Sequence, residues 1–262
     1  MPDQITRSQT QTDAFDIARA HALQATLGQT PNLQTGDPLP PFAHQIYFWD
    51  PQPPHKLGHD GHPATGGFIP DLGLPRRMWA AGRLAFHRPL LAGIRAERTS
   101  IVEAVTRKQG RSGPLGFVTI RHDIKQRGTL ALTEWQELVY RADGAQSNAP
   151  LAPTDETHAE EVRFDSTTLF RYSALTFNGH RIHYDEAYAR RIEGYGGLVV
   201  HGPLIAHLLM DLAQRQLGTL TLFSYRATAP LMHHEPATLC WKQGNAWLRG
   251  PDNRQCMMAQ AS

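Results

Sequence analysis

An α+β chain built on antiparallel sheet is the fold class this sequence predicts, and three observations predict it. Between residues 78 and 142, alternating and β-branched runs follow one another with tight turns between them, the pattern of an antiparallel meander. Similar runs return from Thr219 onward, directly after a strongly apolar helix over 204–217. The two strand regions also echo each other: Phe86-His87-Arg88-Pro89-Leu90 leads into one, and Ala227-Thr228-Ala229-Pro230-Leu231 into the other. Each Pro-Leu pair follows an Arg-containing strand, a hint of internal duplication.

Taken in order, Asp13 to Leu27 has helical character. Ala14, Ile17, Ala18, Leu23 and Leu27 recur at roughly helical spacing, and Gly28 closes the run. Residues 31–41 are rich in Pro and Gly and read as loop. Phe42 to Trp49 is a short apolar run that periodicity alone assigns to neither helix nor strand. Residues 51–75 are crowded with Pro, Gly and His. A connection of that length inside a compact domain is usually functional or disordered. Gly66-Gly67-Phe68-Ile69 gives it an apolar anchor, so an ordered loop is expected.

Strands are expected over 83–86, 97–102, 116–122 and 131–140, with turns at 89–93, 108–113 and 126–128. Residues 143–157 are polar and Pro-rich and mark a boundary between an N-terminal module, 1–142, and a C-terminal module, 158–262. Arg163 to Leu175 reads as short and strand-like. The helix 204–217 carries Leu204, Ile205, Leu208, Leu209 and Leu212 on one face, with Pro203 in its first turn and Gly218 as its cap. Strands follow over 219–226, 237–242 and 245–249.

Composition narrows the function. The 262 residues allow one large domain or two, and 40% hydrophobic content is enough for a packed core. Basic residues are scattered, not massed, which argues against a nucleic-acid partner. A pI near 8.6 suits an anionic small molecule. The N-terminus lacks the apolar run of a signal peptide. No stretch approaches the ~18 apolar residues a membrane span needs. Cys240 and Cys256 are the only cysteines, too few for a disulfide framework, so a reducing, cytoplasmic setting is expected.

The chemistry concentrates between Phe177 and Pro203. His183 is either one more of fourteen histidines that cap or bridge loops, or a general base, the role imidazole fits near neutral pH. Gly202-Pro203 opens the apolar helix, whose unpaired N–H groups and dipole can hold a developing oxyanion. Otherwise that glycine serves only tight packing. His55, His59 and His62 with Asp60 match no zinc spacing, and the segment reads as a solvated loop or substrate lid with no metal. Gly66-Gly67 and the glycines between 110 and 116 lack the context of a phosphate loop. No Gly-x-Ser-x-Gly is present, so nothing supports an α/β-hydrolase. No cofactor is called for.

The run Phe170 to Asp185, FRYSALTFNGHRIHYD, followed by Glu193-Gly194-Tyr195 and by Leu198 to Leu204, LVVHGPL, resembles the MaoC-like hydratases and dehydratases. The branch it is most similar to contains mesaconyl-C4-CoA hydratases, itaconyl-CoA hydratases and mitochondrial-type 3-hydroxyacyl thioester dehydratases. Leu74 to Arg83, Phe86 to Leu90, Gly110 to Leu115 and Ala131 to Glu134 resemble that branch's N-terminal domain. The resemblance implies a double hot-dog: two modules, each an antiparallel sheet wrapped around a helix. The N-terminal module's helix would be the less regular region near Phe42 to Trp49, and that module would shape an acyl-CoA tunnel.

The resemblance also implies a hydro-lyase that reversibly hydrates an enoyl-CoA, with itaconyl-CoA or mesaconyl-C4-CoA giving citramalyl-CoA, as in itaconate degradation. His183 would be the general acid/base and the Gly202 N–H the oxyanion donor. Asn178 departs from the common pattern, which has aspartate five residues before the histidine. An amide takes no proton, so Asn178 would orient the water. His180 is either a second proton carrier or a structural partner. His201, Arg171, Arg181, Arg76 and Arg77 are candidates for substrate contacts, the arginines for CoA phosphates or a free carboxylate. A 3-hydroxyacyl-thioester dehydratase of fatty acid metabolism, a hot-dog thioesterase and a non-catalytic acyl-CoA-binding subunit are the competing readings. Hot-dog proteins often associate, so a homo-oligomer is compatible with this family.

Overall fold

The computed structural model describes residues 7–110, 113–142 and 149–262. Residues 143–148, the first part of the expected linker, lie outside them, as do 1–6 and Arg111-Ser112 within the Gly110 to Leu115 motif. The described chain runs β1 (Ser8–Asp13), α1 (Ile17–Thr26), β2 (Arg76–Phe86), β3 (Ala96–Gly110), β4 (Gly113–Gln126) and β5 (Thr129–Arg141). It continues with β6 (His158–Val162), α2 (Ser166–Leu175), α3 (Glu186–Arg191), α4 (Gly202–Leu217), β7 (Leu222–Ala227), β8 (Ala237–Lys242), β9 (Asn245–Arg249) and β10 (Gln255–Ala261).

All strand pairs are antiparallel, and the order is β1-β3-β4-β5-β2-β7-β10-β9-β8-β6. The list is a palindrome in kind: in each half the first strand in sequence lies at the edge, the last three form a meander, and the second crosses over to pair with the last. The halves meet where β2 pairs with β7, from Ala81 opposite Arg226 to Ala85 opposite Leu222. The sheet is therefore continuous across both modules. The echo at Pro-Leu has a structural counterpart. Leu39 N–H donates to Leu90 O at 2.7 Å in the first half, and Val200 N–H to Leu231 O at 2.9 Å in the second.

Local sequence explains the elements. In β4, Val118, Ile120, His122 and Ile124 are buried in strict alternation, the period of a strand with one covered face. In α4, Leu204, Ile205, Ala206, Leu209, Met210, Leu212 and Ala213 are all buried. That is more than one stripe, as expected of a helix the sheet wraps around. Burying each such leucine contributes about 2 kcal/mol. Gly218, at φ 83°, ends the helix and donates its N–H to Gln214 O at 2.8 Å.

Some expectations need correcting. Arg163 to Leu175 is not strand-like: Asp165 caps α2 by accepting the Thr168 N–H at 2.7 Å, and Leu169, Tyr172, Ser173 and Leu175 form its buried side. The edge strands β1 and β6 are polar and carry no apolar alternation, so they escaped sequence reading. The run Phe42 to Trp49 contains a single buried 3-10 turn, Ala43–Ile46, entered through Phe42 at φ 70°. Among the described residues, the N-terminal half has this turn, after the Leu39–Leu90 hydrogen bond, where the C-terminal half has α4 after the Val200–Leu231 one. No helix among the described residues is long and apolar enough to cross a membrane.

Candidate active site

Between α2 and α3 the chain makes a 3-10 turn, Arg181–His183, and Asp185 then caps α3 by accepting the Tyr188 N–H at 2.9 Å. This turn sets His183 into the interior, only 7% exposed. Its Nδ1–H donates to Val199 O at 2.7 Å. The proton on Nδ1 leaves Nε2 with a free lone pair, the tautomer a base needs. Burial lowers the His183 pKa to about 4, so the imidazole is neutral at physiological pH. The ring stacks on His201, with centroids 3.7 Å apart. His201 is fully buried, shares a hydrogen bond between Nε2 and Ser173 Oγ at 2.8 Å, and keeps a buried Nδ1 without a partner. Burial, with His183 and His180 nearby, holds its pKa well below the usual histidine range.

His201 is also the N-cap residue of α4, and Gly202 is the first residue of that helix. The N–H groups of a helix's first turn have no partner within the helix, and Pro203 contributes none. A Cβ at Gly202 would stand 2.9 Å from the Trp79 ring. Glycine here lets β2 close over the helix entry, and any larger residue would push Trp79 away.

Asn178 accepts the His180 N–H on Oδ1 at 3.0 Å, while its own N–H donates to Ser173 O at 2.8 Å. That leaves the amide Nδ2 as its free donor. His180 stands edge-on to His183, centroids 5.4 Å apart, and 4.3 Å from the ring of His62. Burial, then the neighbouring His62 and His183, lower its pKa to about 2.

His62 arrives from the other half of the chain. Its Nδ1–H donates to Asp60 Oδ2 at 2.9 Å, and its backbone N–H to Asp60 Oδ1 at 3.0 Å. Burial opposes ionisation of Asp60, but the hydrogen bonds from His62 and the attraction between the two groups outweigh it and hold the carboxyl well below its usual range. The loop carrying this pair is fastened to the His183 turn. Arg181 N–H donates to Asp60 O at 2.9 Å, and Arg181 Nη1 to His59 O at 3.3 Å. His59 Nδ1 and Tyr188 OH are 3.0 Å apart. Gly61, at φ 87°, and Gly179 touch backbone to backbone: a Cβ on Gly61 would lie 2.0 Å from Gly179 O.

The structure thus gathers His183, Asn178, Gly202, His180 and His201, and it separates the arginines. Arg171 lies on the exposed side of α2. Arg181 pairs with Asp185 at 2.7 Å and covers Tyr188. Arg76 pairs with Glu193 at 3.1 Å. Arg77, neighbouring on β2, lies beside Tyr140, His62 and His180, on which its charge acts. Sequence reading named Asp60 and His62 only as part of a solvated loop or substrate lid, and gave Trp79 no role. Asp60-Gly61-His62 stood out within a loop too long for a mere connection, but nothing in one sequence says which segment that loop meets. Donor atoms of Asp60, His62 and His180 lie within 4.8 Å of one another. The first two are already hydrogen-bonded to each other, an acid–imidazole pair in its own right.

Residues 42–233 match the family model described as hydroxyacyl-thioester dehydratase type 2. The chain belongs to this family. It is accordingly an enzyme of the hydro-lyase class, and its fold is a double hot-dog. It is 43% identical to the mesaconyl-C(4)-CoA hydratase of Chloroflexus aurantiacus, covering 97% of this chain and 95% of that protein. It is 25% identical to the mitochondrial hydroxyacyl-thioester dehydratase type 2 of Schizosaccharomyces pombe, over 80% of each chain. Among solved structures, HtdX of Mycobacterium tuberculosis superposes with a TM-score of 0.68 at 16% identity, covering 97% of this chain and 99% of that one. A second protein of that organism, described as having a double hotdog fold, gives a TM-score of 0.59 at 14% identity, covering 99% and 96%.

Proposed function

We propose that this hydro-lyase reversibly hydrates an enoyl-CoA bearing a second carboxylate, itaconyl-CoA or mesaconyl-C4-CoA, to give citramalyl-CoA. The observation that carries the reading is His183, with its Nδ1 proton committed to Val199 O and its Nε2 free, set beside the unpaired first turn of α4. Mesaconyl-C4-CoA has its double bond conjugated to the thioester, and itaconyl-CoA reaches the same conjugated isomer once a proton moves from Cα to its methylene carbon. On that isomer His183 Nε2 takes a proton from water as the water oxygen bonds to Cβ. The π electrons move onto the thioester oxygen, held by the Gly202 N–H, and the enolate then takes the proton back at Cα. Such an oxyanion donor is worth about 10²–10³ in kcat. Asn178, through its free Nδ2, orients the water. His201, stacked on His183 and hydrogen-bonded to Ser173, fixes the plane of the base.

The relative at 43% identity over nearly its whole length is named for mesaconyl-C(4)-CoA, the thioester of a branched five-carbon dicarboxylic acid, which supports the substrate class. Arg77 supports it physically. It makes no ion pair among the described residues and lies beside two imidazoles of the site, where a free carboxylate would find a cation. The cleft lined by His59, Arg181, Tyr188, Arg191 and Ile192 opens next to the same loop and is a route for the CoA moiety.

The deciding experiment incubates the purified protein with itaconyl-, mesaconyl-C4- and crotonyl-CoA and follows each by mass spectrometry, with a thiol assay in parallel. Gain of one water on the dicarboxylyl esters, without thiol release, is expected. Hydration of crotonyl-CoA alone would move the protein to fatty 3-hydroxyacyl dehydration. Thiol release would make it a thioesterase.

A further inference from the structure

We propose that Asp60 and His62, carried on the N-terminal loop, complete the proton-handling site: the proton taken from water is held in the cluster His183–His180–His62 with the Asp60 carboxylate as its counter-charge. The inference rests on the hydration reading above and adds residues to it.

The argument begins from a charge problem. His183 and His201 are buried and His180 is half-buried, and the three rings stand one against the next, His180 to His183 to His201. Taking a proton there creates a cation out of reach of water, at a cost of several kcal/mol unless an anion is close. Asn178, where a carboxylate would have stood, supplies none. Among the described residues whose charges act on these rings, Asp60 is the only carboxylate; the others are His62, His183, His180 and Arg77.

Asp60 is also placed as a working partner. It accepts two hydrogen bonds from His62, one on each oxygen, which fixes the His62 tautomer with its proton on Nδ1 and turns Nε2 outward. His62 then stands 4.3 Å from His180, which stands 5.4 Å from His183. Carboxylate–imidazole pairs of this kind orient a base and stabilise it once protonated.

The loop's fastening makes the arrangement durable. One backbone and one side-chain hydrogen bond from Arg181, the His59–Tyr188 contact and the Gly61–Gly179 approach all hold it against the His183 turn. In the resting state the cluster holds neutral imidazoles and one carboxylate. One proton from water makes it electrically neutral. The hydroxyl oxygen bonds to Cβ, the same proton returns to Cα, and the cluster is restored with no other reactant.

The test is Asp60→Asn, which removes the charge and keeps one of the two acceptor oxygens for His62, with His62→Gln and Asp60→Glu beside it. In steady-state hydration, Asp60→Asn and His62→Gln should lower kcat about 100-fold with KM little changed, and Asp60→Glu should recover part of it. The acid limb of the kcat–pH profile should move to lower pH by ~1 unit in Asp60→Asn, because the cluster has lost the charge that favours its proton. A merely structural role would leave that limb in place. A readout that needs no turnover is the pH titration of the histidine-labelled protein by 15N NMR. The cluster should protonate at lower pH in Asp60→Asn than in the wild type. If the wild type hydrates none of the esters, the functional reading fails while this titration still decides on Asp60. An unchanged titration or an unchanged acid limb overturns the proposal. So does one equivalent of tightly held divalent metal whose removal abolishes activity.

Discussion

At the scale of single residues, the site turns on two atoms that are free because their neighbours are committed. His183 Nε2 is available because Nδ1–H is bound to Val199 O, and the Asn178 amide N is available because Oδ1 is bound to the His180 N–H. His183→Ala should lower kcat by about 10²–10⁴, measured with whichever ester the wild type hydrates best; near-normal turnover would remove His183 from the mechanism. Asn178→Asp should keep measurable activity if the side chain only orients water, since an aspartate retains a polar group in the same place. Complete inactivity would show that the neutral amide is required. Both residues were legible in the sequence because they lie five apart in one short segment. Asp60 and His62 were not, because their value comes from a contact spanning more than a hundred positions, and a single sequence carries no record of that pairing.

At the scale of elements, the short loop 57–64 does what a helix or strand often does elsewhere, fixing side chains against the His183 turn through hydrogen bonds and a close backbone approach. Its hairpin is closed by Gly58 N–H to His62 O at 2.7 Å and by the bridge between Leu57 and Pro63. Gly61→Ala would drive a Cβ to 2.0 Å from Gly179 O at a backbone φ of 87°, and backbone on both sides leaves nothing flexible to give way. Displacing the loop by about 1 Å should cost on the order of 10² in kcat, while circular dichroism stays that of the wild type because the sheet is untouched. Full activity in that variant would show that the loop's position is immaterial. Helix α4 was readable from its apolar pattern and its Pro and Gly ends, whereas α2 was misread. The threonines at its start suggest a strand, and only the Asp165 cap and the buried side seen in three dimensions reveal the helix.

At the scale of the whole molecule, buried histidines make the fold sensitive to acid. Burial lowers the pKa of His122 and His183 to about 4 and of His207 to about 3, and pushes His201 down as well. An unfolded chain takes up these protons near pH 6.5, so it binds more protons than the folded one below that value. Stability is therefore fully present above pH 6.5 and falls as the pH drops toward 4. Each histidine that is protonated in the unfolded chain but neutral in the folded one removes about 1.4 kcal/mol for every pH unit of that fall. Asp211 acts against this trend, since burial raises its pKa to about 7. Four histidines outweigh one aspartate, so Tm measured by calorimetry should decline steadily from pH 7 to pH 4.5. A flat profile would mean that these imidazoles are hydrated in solution.

The matched hydrogen bonds of Leu39 to Leu90 and Val200 to Leu231 have a consequence for how many substrates one chain can serve. Two residues beyond Val200 is Gly202, with an N–H; two beyond Leu39 is Pro41, preceded by Pro40, and neither proline has one. If the thioester oxygen docks on the Gly202 N–H as proposed, the corresponding entrance in the N-terminal half, closed by two prolines, has no matching donor. Calorimetric titration with a saturated, unreactive acyl-CoA should saturate at one equivalent per polypeptide; two equivalents would mean that the proline-blocked half binds by other means.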